Sequence, residues 1–208
     1  VEEAQIGGQL QHPGIDPEYE LGLMSDERPY FTMKLVKGHT LAKLLARRKT
    51  VAEDRARFLS IFESVCQTMA YAHSKGVIHR DLKPANVMVG SFGEAQVVDW
   101  GLSKVLGRGG VADEVLTQDS ALSVIETVRS GPQTGSDSIV GNVLGTPPYM
   151  SPEQARGEVE QLDERTDVFA LGAILCELLT GAPPYVEREG RNVVQMAAMA
   201  ELDEARAR

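Results

Sequence analysis

Apolar residues recur at helical spacing along much of the chain. From about Ala52 to Ser74, Phe58, Ile61, Phe62, Val65, Met69 and Ala72 share one stripe and predict a long helix that Gly76 ends. The stretch "TDVFALGAILCELLTGAPPY" (166–185) is apolar nearly throughout and stops at Gly181 and Pro183-Pro184, so it predicts a buried helix. Leu41, Leu44 and Leu45 follow Thr40, whose hydroxyl suits an N-cap. At the start, Ala4, Ile6 and Leu10 share a helical face that ends at His12-Pro13-Gly14. The last residues, "MAAMAELDEARAR", continue a helical pattern. "YELGLM" and "PYFTMKLV" read as strands around the turn "SDERP", and "AQVVDWG" as a short β-rich run. From Gly107 to about Ile139 the residues are mostly Gly, Ser, Thr, Asp and Glu, which predicts a long, polar, mobile loop. The layout is α+β: a small strand-bearing piece, then a mostly helical one.

Composition narrows the partners. Of 208 residues, 42% are hydrophobic and 25% charged, enough to fill a core. A net charge of -9 repels nucleic-acid phosphates and acidic membranes, so neither is an expected partner. Cys66 and Cys176 lie in apolar helical patterns and read as small core residues, not as a disulfide or metal pair. No signal peptide is visible, and no apolar run reaches the ~20 residues of a membrane span. The chain starts at Val1 inside a helical pattern and ends in another, so a piece of a longer protein is expected. This segment is expected to be cytoplasmic, with any membrane anchor of the parent in a segment outside it.

The candidate chemistry centres on "VIHRDLKPANVMVG", residues 77–90. Asp81 stands five residues before Asn86, and Asp99 follows after the next β-rich run. Two oxygen ligands with water and phosphate oxygens suit Mg²⁺, which keeps much of its water. The remaining carboxylate is then free to orient a hydroxyl, and Lys83 can balance phosphate charge. That division of labour is what phosphoryl transfer needs.

"HRDLKPAN", "DWG", "GTPPYMSPE" and "DVFALG" occur in the order and spacing of the eukaryotic-like protein Ser/Thr kinases, and the wording around 77–106 most resembles the bacterial members. The resemblance covers almost the whole chain. It implies a protein-kinase-like fold: a partial N-lobe and hinge over 1–36, and a mostly helical C-lobe over 37–208. Within the C-lobe it implies a catalytic loop at 77–90 and an activation segment at 99–153. It implies ATP and Mg²⁺, with Mn²⁺ as a substitute, and protein substrates presenting Ser or Thr.

Residue by residue, the resemblance makes Asp81 the group that orients the substrate hydroxyl and Lys83 the one that neutralises the transferring phosphate. Asn86 and Asp99 would hold the metal. Thr146 would contact Asp81 and Lys83, with Tyr149 supporting that segment. His79 would brace the loop, and Asp167 would anchor its backbone. Met33 would be the gatekeeper of the adenine pocket, Lys34 to Val36 the hinge, and Met88 the adenine floor. Glu3, ten residues before Pro13, would be the ion-pairing Glu of the N-lobe helix. Arg80 would pair with a phosphorylated residue of the activation segment, for which Ser138 ranks first among several hydroxyls. Glu153 would pair with an Arg from a later helix.

Several positions depart from the family pattern. Its Gly-rich loop and strand Lys belong before Glu3 and are not in these residues, so the polypeptide alone is expected to be inactive or nearly so. Trp100, before Gly101, replaces the commoner Phe, and Gly7 stands where an apolar partner of that ring is common, so the larger ring is expected to fill that space. Taken singly, each motif has a bland reading. Asp99-Trp100-Gly101 is a turn, His79 a core histidine, and Asp167 a helix-start carboxylate. Their joint occurrence at fixed offsets favours the kinase reading. Two alternatives stay open: a pseudokinase-type binding module, and a small-molecule phosphotransferase. Lys83 and the 145–153 segment speak against the second.

Overall fold

A computed structural model describes residues 10–16, 18–26, 28–106, 144–188 and 190–208. Strands β1 (Glu18–Leu23) and β2 (Pro29–Met33) pair antiparallel, with a register shift between Glu18 and Glu20. The strand expected from "PYFTMKLV" therefore ends early: Lys34 to Val36 run on without a ladder partner. β3 (His39–Thr40) leads into helix α1 (Leu41–Arg47), where Thr40 Oγ1 accepts the Lys43 N–H at 3.2 Å, the expected cap.

Helix α2 runs Arg55–Ser74, three residues later than the apolar stripe suggested. Asp54 occupies the left-handed region (φ 51°) and its side chain makes no cap. Glu53 instead accepts the Lys49 N–H at 2.6 Å, which holds this stretch as a turn. β4 (Val77–Ile78), β5 (Val87–Val89), β6 (Ala95–Val97) and β7 (Lys104–Val105) follow. β5 is the centre of an antiparallel β3-β5-β6 sheet, and β4 pairs with β7.

Helix α3 (Pro152–Ala155) is short, and α4 (Glu164–Thr180) is the expected buried helix, closed by Gly181 at φ 84°. The helical run at the C-terminal end is broken in two, α5 (Val193–Ala198) and α6 (Asp203–Ala207). The break is a Schellman closure: Glu201 N–H bonds the Met196 carbonyl and Ala200 N–H the Ala197 carbonyl, both at 3.0 Å. Ala200 takes the left-handed position (φ 52°) that glycine usually fills.

One face of α2, carrying Phe58, Ile61, Val65, Met69 and Ala72, forms the main core. It packs on Leu41 and Leu45 of α1, on Ala170, Ile174 and Leu178 of α4, and on the valines of β5 and β6. Burying such side chains stabilises by roughly 1.5–3 kcal/mol each. A smaller cluster joins Met150, Ala155, Tyr185, Met196 and Ala197. Residues 10–16 dock on both α2 and β6. Val97 N–H bonds the Gly14 carbonyl at 2.7 Å, and Leu10 and Ile15 join the main core. A Cβ on Gly14 would lie 2.0 Å from Thr68 Oγ1, so only glycine allows this approach to α2. Cys66 and Cys176 are free thiols. No helix among the described residues is long and apolar enough to cross a membrane.

Candidate active site

Two short strands hold the loop of residues 79–86 at its ends. β4 delivers it from the core side, and β5 takes it away into the three-stranded sheet. Pro84–Asn86 form a single 3₁₀ turn, and the Asn86 carbonyl accepts the Val98 N–H at 3.0 Å. The loop is therefore tied to the strand that precedes Asp99.

Its backbone is held from beneath by Asp167, a fully buried carboxylate in the first turn of α4. Asp167 accepts the His79 N–H at 2.8 Å, the Arg80 N–H at 2.9 Å and His73 Nε2 at 2.8 Å. Three acceptor contacts satisfy a group that would be costly to bury alone. His73 was not singled out from the sequence. Its place four positions after Met69 sets it beside the core stripe of α2, but nothing local names its partner, which lies 94 residues away.

His79 is fully buried, and its two ring nitrogens play different parts. Nδ1 accepts the Asp81 N–H, while Nε2 faces the Val98 carbonyl, both at 3.2 Å. A carbonyl can only accept, so the ring is the neutral Nε2–H tautomer. Burial agrees, pulling its pKa below the ordinary 6.5 against the opposing charges of Asp167, Asp81 and Asp99. The ring also lies 4.8 Å from that of Trp100, tilted by 55°. Trp100 is buried and donates its indole N–H to the Val97 carbonyl at 3.2 Å, so the extra polar atom is satisfied.

Asp81, Lys83 and Thr146 close a triangle. Lys83 Nζ donates to Asp81 Oδ2 at 2.6 Å and to Thr146 Oγ1 at 2.8 Å, and Thr146 Oγ1 donates to Asp81 Oδ1 at 2.7 Å. Asn86 Nδ2 donates to the Asp81 carbonyl at 3.0 Å and to Asp81 Oδ2 at 3.3 Å. The amide nitrogen is thus committed, and Asn86 Oδ1 is the atom left to bind a cation. Asp99 is exposed, holds a left-handed φ of 67°, and its carboxylate meets no donor among the described residues. Two hard oxygen donors of this kind fit a Mg²⁺ that keeps waters. Among the described residues no group of three or more His, Cys, Asp or Glu forms a fuller metal cage.

Arg80 turns away from the triangle. Its Nε donates to the Leu102 carbonyl and its Nη2 to the Ser103 carbonyl at 3.4 Å, fastening the residues just after Gly101. Lys104 lies beside it and donates to the Val159 carbonyl at 3.2 Å. Burial first, then the nearby Arg80, lowers the Lys104 pKa, and Glu160 opposes them. Tyr149 Oη donates to Glu177 Oε2 at 2.6 Å, linking the segment after Thr146 to α4. Burial raises the Tyr149 pKa far above its usual value, and the adjacent Glu177 adds to this. Glu153 accepts the Thr166 hydroxyl at 3.2 Å and lines a cleft of about 640 Å³ together with Arg156 and Arg165.

On the nucleotide side, Met88 lies in the middle of β5, paired with Thr40 and Gln96. Met33 ends β2 and is exposed, as are Lys34 and Leu35, while Val36 is half-buried. Glu3, Gly7 and Ser138 lie outside the described residues.

The protein kinase domain family profile matches residues 1–207. The chain belongs to the protein kinase domain family. Among curated relatives, it is similar to the serine/threonine-protein kinase PknD of Chlamydia caviae, with 38% identity over 205 residues. The PknD proteins of Chlamydia pneumoniae (35% over 204 residues) and Chlamydia trachomatis serovar L2b (38% over 203 residues) are also similar. Each alignment covers 93% of this kinase chain and 20–21% of the relative, so the chain spans about one fifth of their length. The kinase fold accounts for the α+β layout, with short strands presenting a polar loop above a helical core.

Proposed function

We propose that this kinase domain serves an ATP-dependent protein serine/threonine kinase, transferring the γ-phosphoryl group of ATP to Ser and Thr hydroxyls of proteins. The closed Asp81–Lys83–Thr146 triangle carries the reading, since it joins a base, a cation and a hydroxyl donor at one point. Asp81 orients the acceptor hydroxyl and takes its proton as the new P–O bond forms and the bond from the γ-phosphorus to the bridging oxygen breaks, releasing ADP. Lys83 balances the charge on the moving phosphoryl group. Asn86 Oδ1 and the Asp99 carboxylate would hold Mg²⁺, or Mn²⁺ in its place, and a bound ion neutralises phosphate charge there. Met33, the backbone of Lys34 to Val36, and Met88 would hold the adenine, with Glu3 ordering the phosphate side. Arg80, with Lys104 beside it, would receive a phosphorylated activation-segment residue, Ser138 first. The kinase segment would work in the cytoplasm on protein partners, and its net charge of -9 argues against nucleic acid as one of them.

The test is phosphotransfer from γ-labelled ATP by the full-length protein to Ser, Thr and Tyr peptides with Mg²⁺ present. Labelling of Ser or Thr peptides, cut about 10²–10⁴-fold by Asp81→Asn, is the expected result. Nucleotide binding without transfer to any peptide would favour a binding module instead. Transfer to small alcohols alone would favour a small-molecule phosphotransferase.

A further inference from the structure

Gln154 has no part in the chemistry above, yet it is buried and its side-chain amide is fully directed. It lies in α3, whose N-cap Ser151 accepts the Gln154 backbone N–H at 3.4 Å. Its Nε2 donates to the Arg80 carbonyl at 2.5 Å and to the Leu144 carbonyl at 2.8 Å. Both partners are backbone carbonyls, so only an NH₂ group suits the position, and the amide orientation follows from that.

The two acceptors belong to different parts of the site. Arg80 immediately precedes Asp81, and Leu144 stands two residues before Thr146. Arg80 holds a left-handed φ of 67°, a strained conformation for a non-glycine residue that persists only where its surroundings impose it. Asp167 grips the Arg80 N–H from one side, and Gln154 grips its carbonyl from the other. Gly145, at φ 117°, passes beside the Gln154 grip. A Cβ there would lie 2.7 Å from Gln154 Nε2 and 3.1 Å from the Arg80 carbonyl oxygen, so the crossing is built around one amide and one glycine.

We infer that Gln154 is a positioning residue. One amide group fastens the segment carrying Thr146 to the loop carrying Asp81 and so maintains the 2.7 Å Thr146–Asp81 contact. Its effect on turnover rests on the kinase reading above, whereas the clamp is a matter of backbone geometry. Gln154→Glu keeps the shape but sets a carboxylate oxygen against two carbonyls. Gln154→Leu removes both donors at similar volume.

The test uses both variants in the full-length protein, with thermal melting to confirm folding. The expected result is at least a tenfold fall in kcat toward a Ser/Thr peptide, with KM for MgATP within twofold. In a Gln154→Glu background, Thr146→Ala should cost clearly less than it costs alone, because the variant has already loosened Thr146. Unchanged kcat, or a loss fully additive with Thr146→Ala, would overturn the inference and leave Gln154 as a brace of α3. Amide hydrogen exchange over residues 144–150 reads the clamp without any activity. Faster exchange in the variants supports it even if the wild type transfers no phosphoryl group, an outcome that would sink only the kinase reading. Unchanged exchange overturns the clamp whatever the activity.

Discussion

The loop at 79–86 and the β1–β2 hairpin are both short, but they are stabilised in opposite ways. In the loop, His79, Arg80, Asp81 and Asn86 are all buried, and each polar side chain has a named partner. In and beside the hairpin, apolar groups face outward: Leu23 is 69% exposed and Leu35 81%. Among residues whose side chains are described, none between Ile15 and Leu41 joins the main core. Burial and polarity have changed places. The loop is fixed by tertiary hydrogen bonds beneath it, whereas among the described residues the hairpin is held by its own ladder, which alone is marginally stable in water.

Removing the support beneath the loop should have the largest effect on that contrast. Asp167→Ala leaves the buried N–H groups of His79 and Arg80 without acceptors, at about 1–3 kcal/mol each. A loss of about 3–5 kcal/mol in urea unfolding is expected, and a loss below ~1 kcal/mol would show that water replaces the carboxylate at little cost. Leu178→Ala, in the core that carries the same loop, should cost about 2–5 kcal/mol on the same assay.

Acid should distinguish the regions more gently. Neutral His79 has a folded pKa below its ordinary 6.5. As pH falls through about 6.5, the unfolded chain binds a proton that the folded chain does not yet accept, so stability drops until the folded pKa is passed. This one site contributes a slope of at most ~1.4 kcal/mol per pH unit. His79→Asn should remove that component of the stability measured between pH 7.5 and 5.5. The smallest effect belongs to the hairpin side. Leu35→Ser should change stability by no more than about 0.5 kcal/mol, and β1–β2 amides should exchange faster than those of β5. A larger loss, or slow exchange in β1–β2, would erase the contrast.

The elements most legible in the sequence were those fixed by local rules. The stripe from Phe58 to Ala72, the Thr40 cap and the Gly181 stop each depend on residues within a few positions. Boundaries set by backbone twist were harder to read. Asp54 and Ala200 adopt left-handed φ without being glycine, and so the α2 start and the α5–α6 break fell inside patterns that read as helix. Asp81, Lys83 and Asn86 could be picked out because their types and spacing suit one reaction. His73 and Gln154 could not, because their partners lie 94 and 74 residues away. A contact of that separation leaves no local pattern.

The triangle at Asp81 also has a consequence for how a hydroxyl can arrive. An ionised carboxylate offers about four lone-pair positions, two on each oxygen. On Oδ2 both are engaged, by Lys83 and Asn86, while on Oδ1 one is engaged, by Thr146. A single acceptor position is left, and it lies on the oxygen that Thr146 already touches. Under the role proposed for Asp81, an incoming alcohol would approach shoulder to shoulder with the threonine, or evict it. Crowding of donors around one oxygen atom would then screen substrates before any phosphate moves.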